Sequence, residues 1–230
     1  MGKTKARRLK SDDYHDLGER PRKKLPPLEP RSTNQKYLIS DLDRCQLVFS
    51  TGPAGTGKTY VATRKACEMF KVGEIEKIIV TRPMVTAEEE IGFLPGDPDE
   101  KFAPFFAPVR EILEEDLGRS YVENLIKHGK IDIAPIGFLR GHTFKKAFVL
   151  FDEAQNTTRK QMELFLTRIG EGTKVCLCGD PHQCDLKVPS GLVDAIQRFK
   201  NLPEVGVVQF GIEDITRSGL ARKIVEGYLK

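Results

Sequence analysis

Gly52-Pro53-Ala54-Gly55-Thr56-Gly57-Lys58-Thr59 decides how the rest of the chain is read. The octet has the form G-x-x-x-x-G-K-T. The apolar run Cys45-Gln46-Leu47-Val48-Phe49 leads into it, and a helix-like run from Tyr60 to Phe70 leaves it. Buried strand, glycine loop and helix N-terminus together make a phosphate cradle. The glycines let the backbone bend around an anion that side chains would keep out. Successive N–H groups then point inward, and the helix dipole adds positive charge. In such a cradle Lys58 reaches the β- and γ-phosphates, and the Thr59 hydroxyl ligates Mg²⁺.

Four more apolar runs end in chemistry-bearing residues, and in open α/β sheets ligands bind beyond the carboxyl ends of strands. Ala147-Phe148-Val149-Leu150-Phe151 ends in Asp152-Glu153. One carboxylate beside a phosphate cradle can hold Mg²⁺, here Asp152, and the next, Glu153, can position or deprotonate water. Lys174-Val175-Cys176-Leu177-Cys178 ends in Gly179-Asp180, with Gln183 just beyond. The Gln183 amide can sense a γ-phosphate or orient water. Lys77-Ile78-Ile79-Val80-Thr81 ends in Arg82, placed to meet a phosphate or an acidic residue. After Val205 to Phe210, Arg217 is the candidate arginine finger, acting within the chain or across a subunit boundary. Ahead of the first strand, a short helix from Asn34 carries Gln35, whose amide suits the edge of adenine, and Tyr37, which can stack on a base or simply pack.

The 230 residues suit one α/β domain with a tail, and no apolar run approaches the roughly 18 residues of a membrane span. Net charge is +4, unevenly placed. Residues 1–24 hold nine Lys and Arg against four acids, a net of +5, which leaves about −1 for the remainder. Such an arm either attracts phosphate backbones or is simply solvated. Its charge and lack of an apolar core predict no secretion. Five cysteines, an odd number, fit free thiols in a reducing, cytoplasmic setting. Cys176 and Cys178 are one residue apart, which suits two side chains on one sheet face better than a zinc site.

Prolines at 21, 26, 27 and 30 mark residues 1–33 as arm and extended lead-in, with the folded domain over 34–230. The prolines and glycines of residues 84–104, which include Glu88-Glu89-Glu90, predict an ordered loop. Helices are expected over 105–117, 119–128 and 158–167 and after Gly191, with a short strand at Ile131-Asp132-Ile133-Ala134. Arg140 and His142 are basic residues able to touch a nucleic-acid backbone.

From about Asn34 to Gly227 the chain resembles the PhoH-like P-loop ATPases. The resemblance rests on Asn34-Gln35, the Gly52–Thr59 loop, Thr81-Arg82-Pro83, Gly92-Phe93-Leu94-Pro95-Gly96, Arg140-Gly141, Asp152-Glu153-Ala154-Gln155-Asn156-Thr157-Thr158, Gly179-Asp180, Gln183 and Arg217. His142 stands where relatives commonly carry arginine, and Pro181-His182 and Cys184 are slightly unusual. The family is similar to the first motor domain of superfamily 1 helicases. The resemblance implies a RecA-like P-loop NTPase, a mostly parallel sheet flanked by helices. It also implies ATP with Mg²⁺, a homo-oligomeric ring, often a hexamer, and action on RNA or single-stranded nucleic acid. The lead-in of 33 residues is too short for the PIN nuclease domain of fused relatives, so nuclease activity is not expected.

The expected nucleotide contacts are Asn34, Gln35, Gly52, Pro53, Ala54, Gly55, Thr56, Gly57, Lys58, Thr59, Tyr60 and Arg82, with Thr59 and Asp152 on Mg²⁺. Lys58, Glu153, Gln183 and Arg217 are the expected catalytic set. Two other readings share the loop: a small-molecule kinase, and a nucleotide-switched binding protein with little turnover. A water-positioning Glu153 argues for hydrolysis over phosphate transfer to an acceptor.

Overall fold

The computed structural model describes residues 25–84, 98–139, 141, 143–216 and 219–228. The basic arm through residue 24, Glu88-Glu89-Glu90, the Gly92–Gly96 motif, Arg140, His142 and Arg217 lie outside the described residues.

Six strands form one sheet in the order β3-β2-β4-β5-β1-β6. They are β1 (Leu47–Thr51), β2 (Lys77–Thr81), β3 (Ile131–Ile133), β4 (Ala147–Phe151), β5 (Lys174–Gly179) and β6 (Val205–Gln209), and every pairing is parallel. Helices α1 (Thr33–Arg44), α2 (Lys58–Val72), α3 (Pro98–Leu117), α4 (Arg119–Lys127), α5 (Arg159–Leu166), α6 (Gly191–Phe199) and α7 (Gly219–Tyr228) complete the fold. This is the expected RecA-like α/β architecture.

Parallel sheets need both faces covered, and the strands read accordingly as continuous apolar runs. All five residues of β1 and of β4 are buried. One apolar cluster joins Val48, Phe148, Leu150 and Cys176 to α1, α2, α3 and α4; the other joins Phe49, Val149, Phe151 and Leu177 to α5 and α6. Each fully buried phenylalanine or leucine removed from water is worth about 1.5–3 kcal/mol. Edge strand β6 differs, alternating buried Gly206 and Val208 with exposed Val207 and Gln209. Cys176 and Cys178 share a face as their spacing predicts, with sulfurs 3.8 Å apart.

The loop expected over 84–104 is a helix in its last part. Helix α3 starts at Pro98 and passes through Pro104 and Pro108. A proline in the first turn costs nothing there, because that N–H has no helical acceptor. The two inner prolines each give up one bond, and apolar residues at helical spacing offset them: Phe106, Val109, Leu113 and Leu117 are all buried. Helix α3 is tied to α2 by Asp116, which meets Arg64 at 3.1 Å and Lys71 at 2.6 Å. The position of α2, and of the loop that opens it, is therefore fixed from behind.

Candidate functional site

Strand β1 delivers the glycine loop at the carboxyl edge of the sheet, and the loop is packed from below. Gly52 donates its N–H to Gly179 O at 3.1 Å and holds φ at 133°. A Cβ there would sit 2.4 Å from the carbonyl oxygen of Phe210, so only glycine fits. Helix α2 then opens at Lys58 behind Gly57. The Lys58 amine lies inside the loop and donates to Gly52 O and Pro53 O, both at 2.8 Å. Burial pushes its pKa down, against the pull of Cys178, Asp180, Asp152 and Glu153. An amine held among carbonyls and short of solvent is well placed to exchange them for phosphate oxygens.

Strand β4, separated from β1 only by β5, brings up the carboxylates. The Thr59 hydroxyl donates to Asp152 Oδ1 at 2.8 Å. The two side chains assigned to Mg²⁺ from sequence are thus in contact, across 93 residues of chain. Both are hard oxygen donors suited to this ion. Burial pushes the Asp152 carboxyl up, the Thr59 hydroxyl pulls it down, and the Glu153 charge adds to the rise. A cation beside Asp152 would relieve that cost. Ser50 Oγ and Thr81 Oγ1, at the ends of β1 and β2, are buried without a hydrogen-bond partner. Polar capacity is therefore left over along this edge.

Glu153 takes a left-handed turn, with φ at 52°. Its Oε2 accepts from Gln155 Nε2 at 2.7 Å. Gln155 sits in the short 3-10 turn Ala154–Asn156 and is fully buried. The same Nε2 reaches Gln183 O at 3.3 Å, and Gln155 Oε1 accepts from the Asp180 N–H at 3.1 Å. Asn156 and Asp185 exchange two further bonds, of 3.0 and 2.8 Å. The acidic turn and the segment after β5 therefore form one block. Gln183 lies on its exposed side, in the 3-10 turn Pro181–Gln183.

The other sequence candidates are placed as follows. Gln35 is buried and already engaged: Nε2 donates to Thr56 O at 2.9 Å and Oε1 accepts from Arg31 N at 2.8 Å. In this arrangement it braces the loop. Asn34 donates to Asp214 Oδ2 at 2.7 Å. Tyr60 is exposed, and its hydroxyl accepts from Arg64 Nη1 at 3.0 Å. Arg82 donates to Phe105 O at 2.7 Å, lies 5.8 Å from that ring's centre, and draws the Asp152 pKa down by its charge. Arg217 itself is not described, but Thr216 donates both its N–H and its hydroxyl to Gly55 O, at 3.1 and 3.2 Å. Gln155 stood in the sequence only as part of the Asp152–Thr158 run, with no role of its own, and Asp214 stood in a polar stretch with no motif to mark it.

The family model described as "PhoH-like protein" matches residues 27–229. Protein PhoH of Escherichia coli (strain K12) is 45% identical over 206 residues, which cover 88% of this chain and 58% of that protein. A PhoH-like protein of Bacillus subtilis (strain 168) is 44% identical over 202 residues, covering 87% of this chain and 63% of the relative. The chain therefore spans about three fifths of the length of these relatives. Among solved structures, the large terminase of a thermophilic bacteriophage (crystal form 3) aligns with a TM-score of 0.51 at 13% identity, over 86% of this chain and 49% of that one. That likeness is one of fold.

Proposed function

The chain belongs to the PhoH-like protein family, and on that premise we propose that it hydrolyses ATP with Mg²⁺ as an oligomeric ATPase acting on RNA or single-stranded nucleic acid. The hydroxyl-to-carboxylate contact of Thr59 with Asp152, at 2.8 Å, carries the reading. It joins a phosphate cradle and an acidic pair from separate strands at one point. Mg²⁺ held there would neutralise the β- and γ-phosphates and offset charge developing on the transferred group. Lys58 leaves the loop carbonyls for the phosphate oxygens. Glu153 orients the attacking water and takes its proton. Gln183 senses the γ-phosphate, and Arg217 adds a fixed positive charge. The anchoring of Thr216 on Gly55 supports a role for Arg217 at this site.

A ring, with six copies as the expected number, and nucleic-acid binding rest on the family resemblance and on the basic residues near the amino terminus. No helix among the described residues is long and apolar enough to cross a membrane.

The test is phosphate release from Mg-ATP by the purified chain. Lys58→Ala should abolish it and chelation of Mg²⁺ should stop it. Glu153→Gln should slow it on the order of 10²-fold or more while ATP still binds. Single-stranded RNA should stimulate it, less at high salt. Bound ATP that is never hydrolysed, with or without RNA, would leave the nucleotide-switch reading in its place. Consumption of ATP only with an added acceptor would point to a kinase.

A further inference from the structure

We propose that Gln155 is a positioning residue that holds the Glu153 carboxylate and links it to Gln183. The role rests on the hydrolysis reading given above. Every polar group of Gln155's side chain is spent on the walls of this site. Its Nε2 donates to Glu153 Oε2 at 2.7 Å and to the Gln183 carbonyl at 3.3 Å. Its Oε1 accepts from the Asp180 N–H at 3.1 Å. Its own carbonyl accepts from Ser190 Oγ at 2.7 Å and from Cys184 Sγ at 3.3 Å. The residue is 1% exposed.

Geometry around the amide is tight. A Cβ on Gly179 would lie 2.8 Å from Gln155 Oε1, so the end of β5 carries no side chain where the amide passes. A buried amide with its hydrogen bonds made has one low-energy orientation, since a flip would set Nε2 against the Asp180 N–H. That fixed orientation matters because Glu153 hangs from a left-handed turn, at φ 52°, and its carboxylate would otherwise swing. Gln155 holds one oxygen and leaves the other for water. Misplacement of a catalytic group by about 1 Å can cost on the order of 10²-fold in rate.

The link to Gln183 gives the same amide a second use. It grips the backbone of the residue expected to sense the γ-phosphate. A shift of that backbone on phosphate release moves the amide, and with it the Glu153 oxygen. Sensor and water-positioning group then move together.

The experiment compares Gln155→Met and Gln155→Glu with wild type in steady-state phosphate release, in binding of a fluorescent ATP analogue, and in thermal unfolding. Methionine removes all three side-chain hydrogen bonds at similar volume. Glutamate keeps the acceptor for the Asp180 N–H and loses the donor to Glu153. Both variants should lose kcat by roughly tenfold or more, on the order expected for misplacement, with nucleotide affinity within about threefold of wild type. A purely structural residue would lower affinity and kcat together. Should Gln155→Met be unfolded at the assay temperature, Gln155→Glu carries the comparison. Wild-type kcat in either folded variant, or a kcat loss matched by the loss of affinity, overturns the positioning role while the hydrolysis reading stands. A wild-type protein that binds ATP and releases no phosphate overturns the hydrolysis reading itself, and the positioning role falls with it.

Discussion

Strand β4 is flanked by the two non-glycine residues with positive φ among the described residues, Lys146 at 47° and Glu153 at 52°. The backbone strain is alike, of order 1–2 kcal/mol each. The surroundings differ. Lys146 stands at the amino edge, where its amine pairs with Glu76 at 2.8 Å and both side chains are at least half exposed. Glu153 stands at the carboxyl edge, against the fully buried Gln155 and beside Asp152. Strain at the first edge turns a chain into a strand. Strain at the second aims a carboxylate, and the buried hydrogen bonds around it hold that aim.

If the carboxyl edge is the over-determined one, its glycines should be the least replaceable. At Gly52 a Cβ would meet Phe210 O at 2.4 Å, an atom of a turn pinned by the Phe210 N–H to Thr51 O bond of 2.7 Å. Backbone cannot swing aside as a side chain can. Gly52→Ala should therefore cost about 3 kcal/mol or more, from overpacking and strain together. Gly172, at the amino edge, holds φ at 68°, but its nearest neighbour is Lys146 Cγ at 3.2 Å, part of a flexible chain. Gly172→Ala should cost about 1–2 kcal/mol. Chemical denaturation of both variants measures the gap. Equal losses would mean that the two edges are equally forgiving.

Carboxylates away from Asp152 and Glu153 sharpen the contrast. Burial pushes the Asp214 carboxyl up, but the side chains of Asn34 and Ser32 and the Gly211 N–H outweigh it and hold it below the usual range. At the amino edge Glu76 is also held low, by its hydrogen bond from Lys146, in open solvent. Asp214→Ala should cost about 2 kcal/mol, the scale of hydrogen bonds to a buried charged group. Glu76→Gln should change stability by less than about 0.5 kcal/mol. A depressed folded pKa means that the unfolded chain takes up the proton first as pH falls. The Asp214 contribution is thus complete above the ordinary carboxylate pKa of about 3.9 and fades as pH drops below it. Thermal unfolding of wild type and Asp214→Ala at pH 7 and at about pH 3, below the unfolded carboxylate pKa, should show the difference shrinking. A difference independent of pH would assign it to packing.

The two edges also differ in what the sequence discloses. The glycine loop was readable because phosphate binding constrains residue type at fixed spacing, and the runs before it and after it confirm strand and helix. The place of Asp152-Glu153, just past a strand end, was readable from the apolar run before it. Helix α3 was misread at its start because proline is normally a breaker. Its first-turn position at Pro98 and the buried apolar stripe beyond outvote that signal. Gln35 looked like a base reader, yet its amide is engaged by Thr56 and Arg31. Gln155 had no spacing rule to reveal it. Its partners, Asp180 and Gln183, are 25 and 28 residues away and meet it only because β4 and β5 are neighbours.

The smallest expected effect is the most direct test of what strain is for. Glycine adopts a left-handed backbone freely but loses more entropy on folding, about 0.5–1 kcal/mol, than the residue it replaces. Lys146→Gly and Glu153→Gly should each therefore change stability by less than about 1 kcal/mol, most of the strain relief being offset. Stability alone will not separate the two edges. Phosphate release will: Lys146→Gly should hydrolyse ATP within about twofold of wild type, whereas Glu153→Gly removes the carboxylate proposed to take the proton and should lose on the order of 10²-fold or more. A Glu153→Gly protein that folds, binds ATP and still turns over would show that the left-handed turn after β4 is only a corner, like the one before it.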